Sequence, residues 1–466
     1  MLFSSITYLF YFFAAFLLLY FAVPFKLKNA VLLVFSLIFY AWGGVKYALL
    51  MVTAILVGYV FGILIEKFRD KKRVSLAFTW LAAAIILAFM LYFKYTNFFI
   101  DNINKLTGAN IGFLDITLPV GISFYTFQTI SYVIDVYRGV PAQKNIIDLA
   151  AYVSMFPQLI AGPIVRYVDI AKELKHRTHS IDKAAEGIRR FVIGLGKKIL
   201  IADRLSELCD MLKATDEKSV LLYWAYGIAV ALYIYFDFSG YSDMAIGLGR
   251  MFGFKFLENF NYPYISKSAT EFWRRWHISL GSWFRDYVYI PLGGNRVSKL
   301  RHIFNIFVVW FLTGFWHGAA WNFIAWGLFF GVLLIIEKFW LYKYLDKSKV
   351  IGHVYTLLAA VLSFVLFNAT DFGEAFTYIG GMFGAGGIPL ATEEILYYIR
   401  SYAVIFIIAF VGATPVVKNT AMKLSESKRF GVVMNVLEPL FIIAVFLVIS
   451  AYLVDGSFSP FLYFRF

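Results

Sequence analysis

Long apolar stretches recur along the whole chain, and they constrain its fold more than any other feature. Several reach the ~20 consecutive apolar residues that an α-helix needs to cross a bilayer. Hydrophobic residues make up 61% of the 466 residues and charged residues only 15%, whereas about a quarter of the residues of a soluble domain are charged. We therefore predict an all-α, polytopic integral membrane protein with about 11 or 12 transmembrane helices. Residues 1–466 are predicted to form a single membrane domain.

The apolar stretches are separated by short charged loops, which set the predicted crossings. Residues 2–23 are too long and too aromatic for a cleaved signal peptide, and we interpret them as the first retained helix. Segments 117–136 and 148–163 carry glycine, proline and amide side chains, which persist at membrane depth only inside protein or around a cavity. We therefore expect re-entrant pieces around a central chamber. The predicted crossings are residues 2–23, 31–42, 47–65, 75–98, 117–136, 220–236, 237–252, 302–317, 321–336, 353–369, 396–415 and 432–453.

The net charge of +14 is distributed in a way that argues against a nucleic-acid partner. The basic residues cluster in short loops beside the apolar stretches, for example at 67–73, 166–198, 250–301 and 338–349, and such loops face the cytoplasm by the positive-inside rule. Segments 99–116 and 370–395 hold mainly Asp and Glu and are predicted to face outward. Cys209 is the single cysteine, so an internal disulfide and a cysteine-based metal site are both excluded.

His317 is the one ionisable residue of the apolar run 303–336. A titratable side chain at membrane depth is expensive and by default marks a functional site. Histidine is also the side chain best suited to move a proton near neutral pH. The competing interpretation is a core histidine bonded to a neighbouring carbonyl group.

Region 237–322 concentrates the remaining polar and aromatic residues. Asp237 and Asp243 flank three hydroxyl side chains in an apolar context, and either carboxylate could line a substrate path. The mixture of Trp and Arg at 273–276 is typical of an interfacial amphipathic helix. A second interpretation is that these cations bind the phosphates of a large acyl donor. The candidate donor-binding residues are Trp273, Arg274, Arg275 and Trp276.

Several long motifs of this chain resemble those of the membrane-bound O-acyltransferases, in particular their bacterial alginate O-acetyltransferase branch. The resemblance extends over essentially the whole chain. It is carried by Pro-Val-Gly-Ile-Ser-Phe-Tyr-Thr-Phe-Gln-Thr at 119–129, Phe-Pro-Gln-Leu-Ile-Ala-Gly-Pro-Ile at 156–164, Phe-Ser-Gly-Tyr-Ser-Asp at 238–243, Glu-Phe-Trp-Arg-Arg-Trp-His-Ile-Ser-Leu at 271–280, Ile-Pro-Leu-Gly-Gly-Asn-Arg at 290–296, Thr-Gly-Phe-Trp-His-Gly at 313–318 and Pro-Phe-Leu-Tyr-Phe at 460–464.

This resemblance implies a fold and a set of roles. The fold is a ring of many helices with a thinned centre and a tunnel that joins the two membrane faces. His317 matches the catalytic histidine, and His277 matches a second characteristic histidine nearer the cytoplasmic side. Acetyl-CoA or another acyl thioester is implied as the donor substrate, with no bound cofactor and no metal. The implied partner is an extracytoplasmic, esterase-like protein of the SGNH type, which attaches the acyl group to a polysaccharide outside a bacterial plasma membrane.

A mechanism and two alternatives follow from these roles. Neutral His317 would accept the proton of an acceptor hydroxyl as that hydroxyl attacks the thioester carbonyl. Asn322, Trp316 or backbone amides could stabilise the oxyanion. One alternative within the enzyme class is D-alanyl transfer to teichoic acid. The alternative from another class is a transporter or flippase without its own chemistry, with Asp237, Asp243 and Gln128 along a permeation path.

Overall fold

The computed structural model describes residues 3–345, 347–427, 429–455 and 461, and these residues form helices, turns and loops without a β-strand. The predicted all-α class is confirmed. Of the predicted motif at 460–464, Phe461 lies within the described residues and the other four lie outside them. The helices are α1 Phe13–Ala22, α2 Phe25–Ala41, α3 Val45–Lys67, α4 Lys72–Thr107, α5 Ile122–Tyr137, α6 Ile146–Ser154, α7 Tyr167–Lys175, α8 Ile181–Gly196, α9 Asp203–Ala214, α10 Val220–Met251, α11 Ala269–Arg275, α12 Ile278–Phe284, α13 Lys299–His317, α14 Trp321–Ile336, α15 Tyr342–Leu345, α16 Lys349–Asn368, α17 Phe372–Met382, α18 Glu393–Ser401, α19 Ala403–Gly412, α20 Val416–Glu426 and α21 Gly431–Val454, with π-helical segments at Thr7–Phe12, Lys197–Ala202, Arg285–Tyr289 and Glu337–Leu341 and a 3₁₀ turn at Pro263–Ile265.

The described residues divide into two compact units. The first comprises the chain up to Phe191 together with Met244–Leu257, and the second comprises Val192–Asp243 with the chain from Glu258 onward. Helices α8 and α10 each contribute residues to both units. Both candidate histidines of the sequence analysis, His277 and His317, belong to the second unit.

The first unit has an aromatic core and an irregular buried segment. Phe156 packs edge-on against Phe16 at a centroid distance of 5.2 Å and against Phe12 at 5.6 Å. Helix α6 ends at Ser154, and the turns that follow, over residues 155–163, are buried throughout. The side-chain amide of Gln158 donates to the carbonyl of Tyr152 at 2.7 Å. This is the kind of non-helical, protein-enclosed segment that the polar pattern at 148–163 predicts.

Six helical segments of the described chain are long and apolar enough to span a bilayer: α3, α4, α10, Trp321–Leu345, α16 and α21. The pair α18 and α19, bent by 57°, would count as a seventh if it forms one span. The predicted multi-pass character therefore stands, while the remaining predicted crossings fall on shorter or more polar helices. Predicted crossing 117–136, for example, coincides with the 16-residue helix α5.

The predicted crossings 220–236 and 237–252 are wrong as separate segments, because α10 continues without a break through Asp237, Gly240 and Asp243. Each carboxylate has a lysine partner: Asp237 binds Lys198 at 2.8 Å, and Asp243 binds Lys197 at 2.6 Å. The charges are thus compensated within the helical interior and do not require a loop.

Close backbone packing also holds α10 against the end of α8. A Cβ added to Gly240 would lie 2.8 Å from the carbonyl oxygen of Gly194. The basic run 166–198 does not end in a loop as predicted: Lys197 and Lys198 begin a π-helical segment that joins α8 to α9. The side chain of Lys198 is fully buried and also binds Asp203, at 2.7 Å.

Helices α13 and α14 approach each other backbone to backbone at two glycines. A Cβ on Gly314 would lie 2.4 Å from the carbonyl oxygen of Phe323, and a Cβ on Gly327 would lie 2.3 Å from that of Trp310. Small residues permit this close contact between membrane helices. Because α13 ends at His317, the packing of this pair sets the position of His317.

We expect Gly327→Ala to destabilise the protein by about 1–3 kcal/mol, because the added methyl group meets backbone atoms that cannot move aside. Thermal unfolding of the purified protein in detergent measures the effect. The matched control is Gly196→Ala, also within a helix, where the nearest contact is an ordinary 3.5 Å to the Val445 side chain. That change should be neutral or stabilising, since alanine is favoured over glycine in helices by ~1 kcal/mol. Equal melting temperatures for both variants would contradict the predicted close approach.

Candidate active site

His317 is the last residue of α13, directly before the break at Gly318 that separates α13 from α14. Its side chain is enclosed by aromatic rings and only 6% exposed. The ring centroid lies 4.9 Å from Trp326, 5.0 Å from Trp316 and 5.5 Å from Phe367. Such surroundings exclude water from the imidazole, which strengthens any polar contact that a substrate makes with it.

His277 lies between α11 and α12 and is fully buried. Its backbone adopts the left-handed conformation, with φ +43° and ψ +52°, which is uncommon for a residue with a side chain and concentrates at functional sites. The ring centroid lies 6.5 Å from that of His317 and 6.1 Å from that of Trp316. Two histidines that are 40 positions apart in the sequence therefore meet in one buried cluster of rings in the second unit.

A short hydrogen-bond network surrounds His277. Nδ1 of His277 is 3.1 Å from Oδ1 of Asn259, and the amide nitrogen of Ile278 donates to the carbonyl of Asn259 at 3.0 Å. The side chain of Asn259 also contacts Ser279 and Ser242. All of these polar side chains are buried, so the network fixes the orientation of the imidazole ring.

Helix α11 brings the aromatic residues of the 271–280 motif into the core, and a buried carboxylate anchors its first turn. Glu337 accepts hydrogen bonds from the amide of Thr270 at 2.8 Å and from its hydroxyl at 2.6 Å. A negative charge at the N-terminus of a helix is favourable because the first amide groups point toward it. Trp276 then packs at a centroid distance of 5.1 Å from Phe260 and is 3% exposed.

Trp273, in contrast, lines a cavity of about 260 Å³. The cavity wall is mainly apolar, and its polar residues include two cations, Arg285 and Lys338. Thr313 also lines it and lies about one helical turn before His317 on the same face of α13. The residues that line the cavity are Thr270, Trp273, Leu280, Gly281, Phe284, Arg285, Tyr289, His302, Ile306, Val309, Trp310, Thr313, Leu334 and Lys338.

Of the other predicted site residues, Arg275, Asn322 and Asp243 have partners of their own. Arg275 binds Glu271 at 2.9 Å and the carbonyl of Asn261 at 3.1 Å, while Arg274 is exposed. The side-chain amide of Asn322 donates to the carbonyl of Ala369 at 2.8 Å, so that donor is already engaged. Asp243 is bound to Lys197 as described above, and none of these four residues lines the cavity.

Asn259 is the residue of this site to which the sequence assigns no role. It stands in a polar run with Glu258 and Asn261, and no pattern distinguishes it from Asn261. The sequence likewise assigns no role to Lys198, because its basic neighbours make it look like part of a charged loop. In both cases the signal is complete burial of a polar side chain, which a single sequence does not reveal.

Comparison with known proteins identifies the class. The model of the membrane-bound O-acyltransferase family matches residues 140–379. A Pseudomonas putida protein named probable alginate O-acetylase is 39% identical, over 100% of both chains. The peptidoglycan O-acetyltransferase of Helicobacter pylori is 35% identical over 84% of this chain and 81% of its own. The teichoic acid D-alanyltransferase of Bacillus subtilis is 31% identical over 53% of this chain and 65% of its own.

The chain therefore belongs to the membrane-bound O-acyltransferase family, and it is a multi-pass membrane enzyme that transfers acyl groups to oxygen. Family membership sets aside the alternative of a transporter without chemistry. The resemblance stated from the sequence motifs is confirmed.

Proposed function

We propose that this enzyme takes an acetyl group from a cytoplasmic thioester, acetyl-CoA or a related carrier, for O-acetylation of an extracytoplasmic polysaccharide in bacteria. The observation that carries the proposal is the convergence of His277 and His317, with ring centroids 6.5 Å apart in a buried aromatic cluster. The proposal includes a plasma-membrane location and an extracytoplasmic, esterase-like partner that delivers the acetyl group to the polysaccharide.

The chemistry needs one group that takes and returns a proton. The acceptor hydroxyl attacks the thioester carbonyl while His317 accepts its proton. The new C–O bond forms, the C–S bond breaks, and the imidazolium returns the proton to the thiolate sulfur, so no net proton is released. A positioned general base of this kind contributes ~10²–10⁴ in rate.

The surroundings of the two histidines favour a small, uncharged acyl group. His317 packs against the rings of Trp316, Trp326 and Phe367, among others, and His277 packs 4.7 Å from Phe238. An acetyl group fits such walls, whereas the ammonium of a D-alanyl group would be costly to bury there without a partner. The relatives that match most of the chain carry names of O-acetyl transfer, which also supports the acetyl group.

Ester analysis of the cell envelope tests the proposal. Deletion of the gene should remove alkali-labile acetyl esters from an envelope or secreted polysaccharide, and the natural gene should restore them. D-alanyl esters, measured in the same alkaline extract, should not change. Loss of D-alanine with normal acetate would replace the proposal with teichoic acid D-alanylation.

The donor is proposed to enter through the cavity beside Trp273. Its mouth carries Arg285 and Lys338, and both lie in basic clusters that the positive-inside rule assigns to the cytoplasm. These cations can attract the phosphates of coenzyme A, while the apolar wall accommodates the thioester arm.

We expect Lys338→Glu to raise the KM for acetyl-CoA by roughly tenfold, about 1.4 kcal/mol, because the substitution places a negative charge at the cavity mouth. The effect should shrink with added salt. Thiol release by the purified protein in proteoliposomes measures it.

Arg274→Glu is the matched control, since Arg274 is exposed and does not line the cavity. It should change the KM by less than about threefold, within the range of exposed charge contacts. If Arg274→Glu raises the KM more than Lys338→Glu does, the donor-binding site would be assigned to residues 273–276, as the sequence motif predicts.

A further inference from the structure

We infer that Asn259 is a positioning residue for His277, and that it holds the imidazole as the tautomer with hydrogen on Nδ1 and a lone pair on Nε2. The inference deepens the proposed function and rests on acyl transfer at His277 and His317. It assigns His277 the part of a hydrogen-bond acceptor beside the base His317, because a neutral ring in this tautomer has nothing to donate from Nε2.

The argument begins with a group whose hydrogen-bonding role is fixed. The backbone amide of Ser279 can only donate, and it lies 3.3 Å from Oδ1 of Asn259. The atom that faces it must therefore be the oxygen of the Asn259 side chain. The nitrogen on the other side of the amide, Nδ2, donates to the hydroxyl of Ser242 at 3.0 Å, which agrees with this orientation.

The oxygen of Asn259 then determines the tautomer of the histidine. An amide oxygen only accepts, and Nδ1 of His277 lies 3.1 Å away. The hydrogen of the neutral ring must be on Nδ1, which leaves Nε2 with its lone pair. The hydroxyl of Ser279 donates to the same oxygen at 2.8 Å and is a longer 3.5 Å from Nδ1, so it does not compete for the ring nitrogen.

The far side of the ring is left for a substrate. Nε2 of His277 is buried and has no hydrogen-bond partner within the described part of the chain. Buried polar atoms normally have partners, and an exception at a strained backbone position indicates function. A reacting hydroxyl beside the two histidines, or a protonated His317, would supply the missing hydrogen bond.

The charges around His277 support a neutral ring. The titratable side chain that faces it is His317 of α13. Helix α10 presents Phe238 and Ser242, and its two carboxylates, Asp237 and Asp243, are bound to Lys198 and Lys197. The loop before α11 presents Asn259, and α12 presents Ser279. Burial therefore dominates, and it lowers the pKa of His277 far below its ordinary value.

The first test reads the tautomer without any turnover. Nitrogen-15 spectra of the histidine-labelled protein in lipid, with His277 assigned by its absence in His277→Gln, should give a protonated Nδ1 and a bare Nε2. The reverse assignment would overturn the inference. Because no acyl transfer is measured, an incorrect acceptor or donor in the proposed function would leave this result unchanged.

The second test changes the charge on the positioning residue. In Asn259→Asp a carboxylate faces Nδ1 and favours the protonated ring, so the pKa of His277 rises, by about one to three units. The neutral ring with its acceptor Nε2 is then lost at higher pH than in the natural protein. The acidic limb of the pH–rate profile with acetyl-CoA should therefore move to higher pH. A folded variant whose acidic limb stays in place would overturn the inference.

Asn305→Asp is the control for burying a carboxylate. Asn305 is as fully buried as Asn259, but its side chain donates to the carbonyls of Leu292 and Gly294 instead of facing a histidine. The acidic limb of the pH–rate profile of Asn305→Asp should coincide with that of the natural protein, whatever the stability of the variant. A merely structural role for Asn259 would make the two variants behave alike, which would also contradict the inference.

Discussion

The His317→Ala variant is expected to lose at least a hundredfold in acyl transfer, and up to ~10⁴-fold, the range that a positioned general base contributes. The neighbouring His277 is not expected to replace it fully, because Asn259 binds its Nδ1 and its ring centroid lies 6.5 Å from that of His317. The measurement is the O-acetyl content of the glycan in cells, together with thiol release from acetyl-CoA by the purified variant.

The variant must remain folded for this result to count. His317 is held by ring contacts that alanine removes, so expression level and elution from a size-exclusion column in detergent should be compared with those of the natural protein. His176→Ala is the control, since His176 is exposed after the end of α7, and it should keep full activity. Normal acetylation by a folded His317→Ala protein would remove His317 from the catalytic role.

The second large effect is expected at Lys198, where Lys198→Met should destabilise the protein by about 3–5 kcal/mol. Its ammonium lies 2.7 Å from Asp203 and 2.8 Å from Asp237, and the three side chains are at most 5% exposed. Removing the cation leaves two neighbouring buried carboxylates without the ammonium that both of them bind. Chemical unfolding in detergent measures the loss, and reduced accumulation in membranes should accompany it.

Lys197→Met separates this effect from a general loss of positive charge. Lys197 is the adjacent residue, and its pair with Asp243 is partly exposed, at 23% and 17%. Partly solvated pairs of this kind contribute about 1 kcal/mol or less. If Lys198→Met unfolds at the same denaturant concentration as Lys197→Met, the buried cluster does not stabilise the contact between α10 and the π-helical segment Lys197–Ala202.

The comparison of sequence with structure is clearest at α10. A hydropathy analysis divides this helix at Asp237, because it assigns each charged residue the free-energy cost of an unpaired charge in lipid. The structure compensates both carboxylates with lysines about 40 positions earlier, and the helix continues. Charge compensation acts through space, so a local average along the chain does not register it.

The motif at 271–280 illustrates a second limit. Trp273 and Trp276 look equivalent in the sequence, yet one lines the cavity and the other is part of the core. The break at His277 in its left-handed conformation changes the direction of the chain between α11 and α12. Helical spacing therefore cannot predict which side chains of this short region face the cavity and which face the core. The donor role predicted for Arg274 and Arg275 stays a prediction until the kinetic comparison with Lys338 is made.

The sequence by itself determined that this protein is helical, crosses the membrane several times and belongs to the O-acyltransferase family. Each crossing of a bilayer needs an apolar helix of a certain length, and consecutive residues of the sequence are enough to recognise such a helix. The isolation of His317 in an apolar run is equally local. Only the tertiary structure decided that His277 meets His317, that Asn259 orients His277 and that Lys198 is buried against Asp237. These relations join residues 18 to 40 positions apart, and their energies come from burial and hydrogen-bond geometry, which exist only once the helices have packed.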